Sequence, residues 1–218
     1  GDFIDRDFKS FSVVGPIYRR LKAPGYHVLG NHDFSVADEK KPLVPETLGL
    51  TNRYYAIDAP GWRFLVLDGN DLSFHGWPKD SPEHRQSVAY YKERGIKSPR
   101  WNGGIGSGQM AWIRKNLETA GERKIGLFCH FPIYPPNVHN LWNAGELVAL
   151  LEEHACVKLY MNGHNHVGHH ATKNGIHYLT LKGMVDTEES AYATIDVFDA
   201  RLEVKGYGRE EDRTLTLR

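Results

Sequence analysis

The chain has 218 residues, 40% of them hydrophobic, with 27 basic and 27 acidic side chains. That is apolar material for one substantial core and a single domain over 1–218, and a net charge of zero makes no electrostatic case for a nucleic acid or a membrane as partner. No run of about 18 apolar residues is present to span a bilayer.

In chain order, Phe8 to Leu21 spells a helix, with Phe8, Phe11, Val14, Ile17, Tyr18 and Leu21 at helical spacing ahead of Pro24-Gly25. Gly15-Pro16 in its middle offers a later start. Tyr26-His27-Val28-Leu29 reads as a short strand, and 38–49 as Pro- and charge-rich loop. Residues 52–57 and 62–67 flank Asp58-Ala59-Pro60-Gly61 as a β-hairpin. Residues 69–106 form a loop-rich insertion, expected to be an ordered cap because it holds Phe74, Trp77, Tyr90, Tyr91 and Trp101. A helix over 107–117 with Ser107 as N-cap follows, then a strand over 125–129. Next come a helix over 143–154 with Leu147, Leu150 and Leu151 inward, and a strand over 157–161. Strands over 176–182, 191–198 and 202–206 complete the pattern. Alternating helices and strands with a β-rich end predict an α/β sandwich with a mixed sheet. Its polar blocks lie just past strand carboxyl ends, where such sheets bind ligands. The two cysteines, Cys129 and Cys156, are expected as free buried thiols, because one pair is no disulfide framework. Together with the lack of a visible targeting signal, this predicts a cytoplasmic location.

The chemistry-bearing blocks are Gly1-Asp2, Gly30-Asn31-His32-Asp33, Cys129-His130 and Asn162-Gly163-His164-Asn165-His166. Taken singly, each is as well read as a turn or a strand end. Taken together, Asp, Asn and His at several strand ends make a divalent-metal site. Hard oxygens mixed with imidazoles suit Mn, Fe or Zn, and two such ions clamp a phosphate and activate water. His164 and His166 stand two apart, so both side chains of an extended loop point one way. Gly163 is expected to give the sharp turn into the site. Asn102-Gly103-Gly104 either lets amides approach a phosphate or makes a tight turn. Trp77 and Trp101 either stack on a nucleotide base or form a small satellite core.

Residues Gly1 to Arg6, Gly30 to Asp33, His130 and Gly163 to His166 resemble the calcineurin-like metallophosphoesterase superfamily, whose pattern runs D-x-H, GD, GNH, H and GHxH. Within it, Asp68 to Ser73, Trp101 to Gly106 with Gln109, His130 to Pro135 and Gly206 to Arg209 resemble the manganese-dependent ADP-ribose/CDP-alcohol diphosphatases. The resemblance implies an αββα sandwich of mixed sheets and two divalent ions in the parent protein, Mn foremost, with Fe or Zn as alternatives. It implies that Asp2 bridges both ions, that Asn31, His130 and His164 complete one sphere, and that His166 serves the other. It implies that His32 donates a proton to the leaving group or stabilises charge. Arg6, Asn102 and Gly103 are expected at the substrate, with Arg6 equally readable as half of a surface ion pair. Asp33 either orients His32 or caps a turn. No segment here supplies the D-x-H strand, so the chain is expected to lack that strand and two ligands of one ion. A single well-formed metal site follows.

The resulting expectation is a metal-dependent phosphoesterase cleaving a phosphoric ester or diphosphate bond of nucleoside diphosphate-linked small molecules. Its partner is a small-molecule phosphate substrate, with oligomeric state left open. The alternatives are a cyclic-nucleotide phosphodiesterase or phosphomonoesterase, and a non-catalytic metal-binding scaffold.

Overall fold

The computed structural model describes residues 1–217. Its centre is a six-stranded sheet made of β1 (Tyr55–Ala59), β2 (Trp62–Val66), β3 (Lys124–Phe128), β4 (Val157–Asn162), β5 (His169–Lys173) and β6 (Ile176–Thr180), in the order β1-β2-β3-β4-β6-β5. The four middle strands, β2, β3, β4 and β6, run parallel, and β1 and β5 pair antiparallel at the two edges. Parallel strands are covered on both faces, so they are apolar without strict alternation; every residue of β6 is buried. Because the four run the same way, the segments after β2, β3, β4 and β6 leave the sheet along one edge, and the polar blocks gather there.

Period-two geometry sends alternate side chains of β4 to opposite faces. Tyr160 joins the core beneath α4 (Ser107–Glu118) and α5 (Ala144–Glu152), where Ile113, Leu117, Leu147 and Leu151 are buried. Leu159 and Met161 point the other way and pack with Trp62 and Leu179 against Leu202, Val204 and Leu215. Those three belong to a second sheet, β7 (Ala191–Val197), β8 (Arg201–Gly208) and β9 (Arg213–Thr216). The expected sandwich with a mixed sheet is therefore present. The mixing is confined to the six-stranded sheet, since the second sheet is antiparallel throughout. Among the described residues its outer face carries Tyr192, Thr194 and Lys205, exposed to solvent. A third cluster, Ile4, Phe11, Leu29, Phe34, Val44 and Leu48, holds the N-terminal segments together.

Several expected elements differ. The first helix is α1 (Ser10–Tyr18) with Pro16 inside it; of the proposed apolar stripe Phe11 is buried, while Ile17 and Leu21 are exposed. Residues 26–29 are not a strand. A strand needs a laddered neighbour, and here single side chains serve the carbonyls: Tyr55 Oη donates to His27 O (2.8 Å) and Asn70 Nδ2 to Leu29 O (3.1 Å). The expected loop 38–49 holds a 3₁₀ turn (Asp38–Leu43) and the short α2 (Val44–Thr47). The insertion 69–106 contains α3 (Pro82–Glu93), whose His84 N–H donates to the Ser81 hydroxyl. Helix α4 begins at Ser107, so Gly106 rather than Ser107 is its N-cap. Both cysteines are free, as expected, but only Cys129 is buried; Cys156 is half-buried. No helix among the described residues is long and apolar enough to cross a membrane.

Candidate metal centre

His130 follows β3 and His164 follows β4. His130 Nε2 lies 3.0 Å from His164 Nδ1, 3.0 Å from Asn31 Oδ1 and 3.1 Å from Asp2 Oδ2. One imidazole nitrogen offers one hydrogen or one lone pair, so three such neighbours exceed what hydrogen bonding explains. They suit a shared cation, whose ligand atoms, each about 2.1 Å from the ion, necessarily crowd together. The ligand atoms of Asp2, His130 and His164 all lie within 4.8 Å of one another. Two oxygens and two imidazole nitrogens form a donor set for Mn, Fe or Zn, so the residues present fit a divalent ion.

The charges agree with this fit. Burial works to raise the Asp2 carboxyl, but His130 beside it and the His32 backbone N–H outweigh burial and hold it well below the usual carboxylate range. Burial, reinforced by His130, pushes the His164 imidazole down to about 2. It is therefore neutral near pH 7, the form that donates a lone pair. Asp2 (φ 57°) and His164 (φ 63°) are two of the four non-glycine residues with positive φ among the described residues. Such conformations cost energy and persist where surroundings enforce them. The sharp turn expected at Gly163 is thus made at His164, and a Cβ on Gly163 would meet open space. Gly30 is the glycine that close approach requires, since a Cβ there would stand 2.1 Å from Asp2 Oδ1.

Asp33 does not orient His32. It is fully buried and its carboxylate accepts four backbone N–H groups: Gly30 (2.9 Å), Asp2 (3.1 Å), Phe3 (2.7 Å) and Ile4 (3.2 Å). One side chain thereby ties the Asp2 loop to the Asn31 loop. The partner of His32 is Asp5, whose Oδ1 lies 2.8 Å from Nδ1. Arg6 donates from Nε to the other oxygen of Asp5 at 2.7 Å. His166 lies outside the converging set, its Nδ1 being 2.8 Å from Asp186 Oδ1.

Asn102 and Gly103, expected at the substrate, are both enclosed. Asn102 is fully buried, with Oδ1 3.0 Å from His164 Nε2 and Nδ2 donating to Ser98 Oγ (2.9 Å) and Val138 O (2.7 Å). Gly103 is buried, and its carbonyl accepts the Trp142 N–H. The two tryptophans separate: Trp77 donates to Asp71 O and lies under the Arg53 guanidinium at 3.9 Å. Trp101 is 42% exposed, its ring 5.2 Å from both His164 and His139. Sequence reading missed the roles of Asp5 and Asp33, although both sit inside recognised motifs. Nothing local marks Asp186 or the Asn102 contact.

The model of the calcineurin-like phosphoesterase family matches residues 1–168. The chain is 28% identical over 246 residues to the manganese-dependent ADP-ribose/CDP-alcohol diphosphatase of Homo sapiens, covering 95% of this chain and 72% of that protein. It is 34% identical over 186 residues to the protein of that name from Xenopus tropicalis, covering 76% of this chain and 54% of the relative. Among solved structures, a dimetal phosphatase from Danio rerio superposes with a TM-score of 0.86 at 24% identity, over 96% of this chain and 77% of that one, which shows the fold.

Proposed function

The chain belongs to the calcineurin-like phosphoesterase family, and from that premise we propose that it hydrolyses the diphosphate bond of nucleoside diphosphate-linked small molecules, ADP-ribose and CDP-alcohols foremost, with manganese as its cation. At the coarser level it is a metal-dependent hydrolase of phosphoester or diphosphate bonds. The observation that supports the metal-dependent reading is the convergence of Asp2, Asn31 and His164 at 3.0–3.1 Å around His130 Nε2. The names of the human and frog relatives supply the substrate class.

Asp2, Asn31, His130 and His164 hold the cation. A divalent ion there supplies positive charge for phosphoryl oxygens and activation of water. His32 is the proton donor: Asp5 holds its Nδ1, which leaves Nε2 to meet the leaving oxygen. One water adds across one P–O bond. Its oxygen joins phosphorus, the leaving oxygen takes the His32 proton, and a proton from water restores the ring. Arg6 engages Asp5 through Nε, leaving its two terminal nitrogens for a phosphate. Residues 69–106 act as the cap, with Trp101 at the rim beside His164. His166, whose Nδ1 rests on Asp186, is the residue for a second ion. The two free thiols fit a reducing compartment such as the cytoplasm.

The test is hydrolysis of ADP-ribose, CDP-choline, cyclic AMP and p-nitrophenyl phosphate by this chain with added Mn²⁺. Faster cleavage of the first two supports the reading. Preference for cyclic AMP or the monoester moves the substrate class, and no turnover of any of the four favours a metal-binding scaffold.

A further inference from the structure

We propose that Asn102 is a positioning residue that dictates which nitrogen of His164 faces the metal. The inference rests on reading His164 as a ligand, and it begins with the orientation of an amide. Asn102 Nδ2 lies within hydrogen-bond reach of Val138 O (2.7 Å) and Ser98 Oγ (2.9 Å). A backbone carbonyl only accepts, so the amide nitrogen must face it and the amide oxygen must face His164. That oxygen, 3.0 Å from His164 Nε2, is itself only an acceptor. The hydrogen of the neutral ring therefore sits on Nε2, and the lone pair sits on Nδ1. Nδ1 is the atom 3.0 Å from His130 Nε2, inside the converging set. With the opposite tautomer, the ring would turn an N–H toward the cation and leave two lone pairs opposed at Asn102.

The turn that carries Asn102 is held firmly enough for this task. Leu72 and Gly104 exchange backbone hydrogen bonds, with Gly104 N donating at 2.8 Å and Leu72 N at 2.9 Å. Trp142 N donates to Gly103 O at 2.8 Å, and a Cβ on Gly103 would stand 2.1 Å from Gly69 O. Asn102 has no exposed surface, so water does not compete for its oxygen. A partner that fixes the tautomer of a ligating histidine affects metal affinity by about 10- to 100-fold.

Two readouts test this. The first is the ¹⁵N chemical-shift pattern of the imidazoles in the metal-free wild-type protein, assigned with His164→Ala. His164 is expected with hydrogen on Nε2; hydrogen on Nδ1 overturns the proposal without any variant that must fold. The second is Mn²⁺ titration by calorimetry of wild type, Asn102→Leu and His164→Ala. Asn102→Leu keeps the volume and removes the acceptor. It is expected to give a mixture of His164 tautomers and about 10- to 100-fold weaker Mn²⁺ binding at unchanged stoichiometry. Unchanged tautomer and affinity in a folded Asn102→Leu protein sink the proposal. Wild-type affinity in His164→Ala sinks the ligand reading instead, so the two failures are distinguishable.

Discussion

The two halves of the candidate metal centre stand on different supports. His130 and His164 follow parallel strands of the central sheet, and the core beneath them includes Leu127, Leu147, Leu151 and Tyr160, all fully buried. Asp2 and Asn31 stand on loops that belong to no sheet. There the carboxylate of Asp33 gathers four backbone N–H groups. The sheet half draws its precision from many small packing terms. The loop half adds to the apolar cluster of Ile4, Leu29 and Phe34 a single carboxylate centre, where losing one partner leaves several buried donors unmet. His32, the proposed proton donor, is on the loop half, where Asp5 Oδ1 lies 2.8 Å from its Nδ1.

The sharpest way to break this comparison is His32→Ala. It is expected to lower kcat by about 10²- to 10⁴-fold while the bound Mn²⁺, measured by elemental analysis, stays the same. A parallel loss of metal would make His32 structural. Next in size is Asp33→Ala, which leaves the donors of Gly30, Asp2, Phe3 and Ile4 without an acceptor. Denaturant melts should show a loss of about 3–6 kcal/mol, and Mn²⁺ affinity should fall further than stability alone explains. If affinity survives, the loop half has supports beyond Asp33.

Leu151→Ala on α5 is the matched change in the sheet half. A fully buried leucine removed from a packed core costs about 2–5 kcal/mol. Below its melting transition the variant should bind Mn²⁺ as wild type does, since many neighbours share the strain. Coupled loss of stability and affinity here would erase the contrast with Asp33. The smallest effect is expected from His166→Ala. Its ring rests on Asp186, outside the converging set, so calorimetry should show the Mn²⁺ site of Asp2, Asn31, His130 and His164 little changed. A tenfold loss would place His166 in that site.

Elements written in local periodicity were legible. Helix α5 shows its inward leucines at 147, 150 and 151, and β3 and β4 are short apolar runs closed by polar blocks, so both could be found without neighbours. Two other elements carried local signals that went unread. Ser81-Pro82-Glu83 opens α3 with a cap and an N-terminal proline. Asn174-Gly175 turns β5 into β6 with positive φ at both residues (49° and 78°). Residues 26–29 show the opposite error. Their composition is strand-like, but a strand exists only when another backbone pairs with it.

The sequence by itself determined which residue types were available for a metal and that they follow apolar runs, because motif blocks are contiguous in the chain. It also determined that the chain has ample apolar material and no charge excess. Only the tertiary structure decided how those residues are used. Asp5 takes His32, Asp33 gathers the loop amides, Asn102 turns to His164 across 62 positions, and His166 falls to Asp186. Each of these pairings depends on where a side chain points after the sheet has brought distant segments to one edge. Hydrogen bonds act over about 3 Å, and no local pattern records which distant residue will come that close.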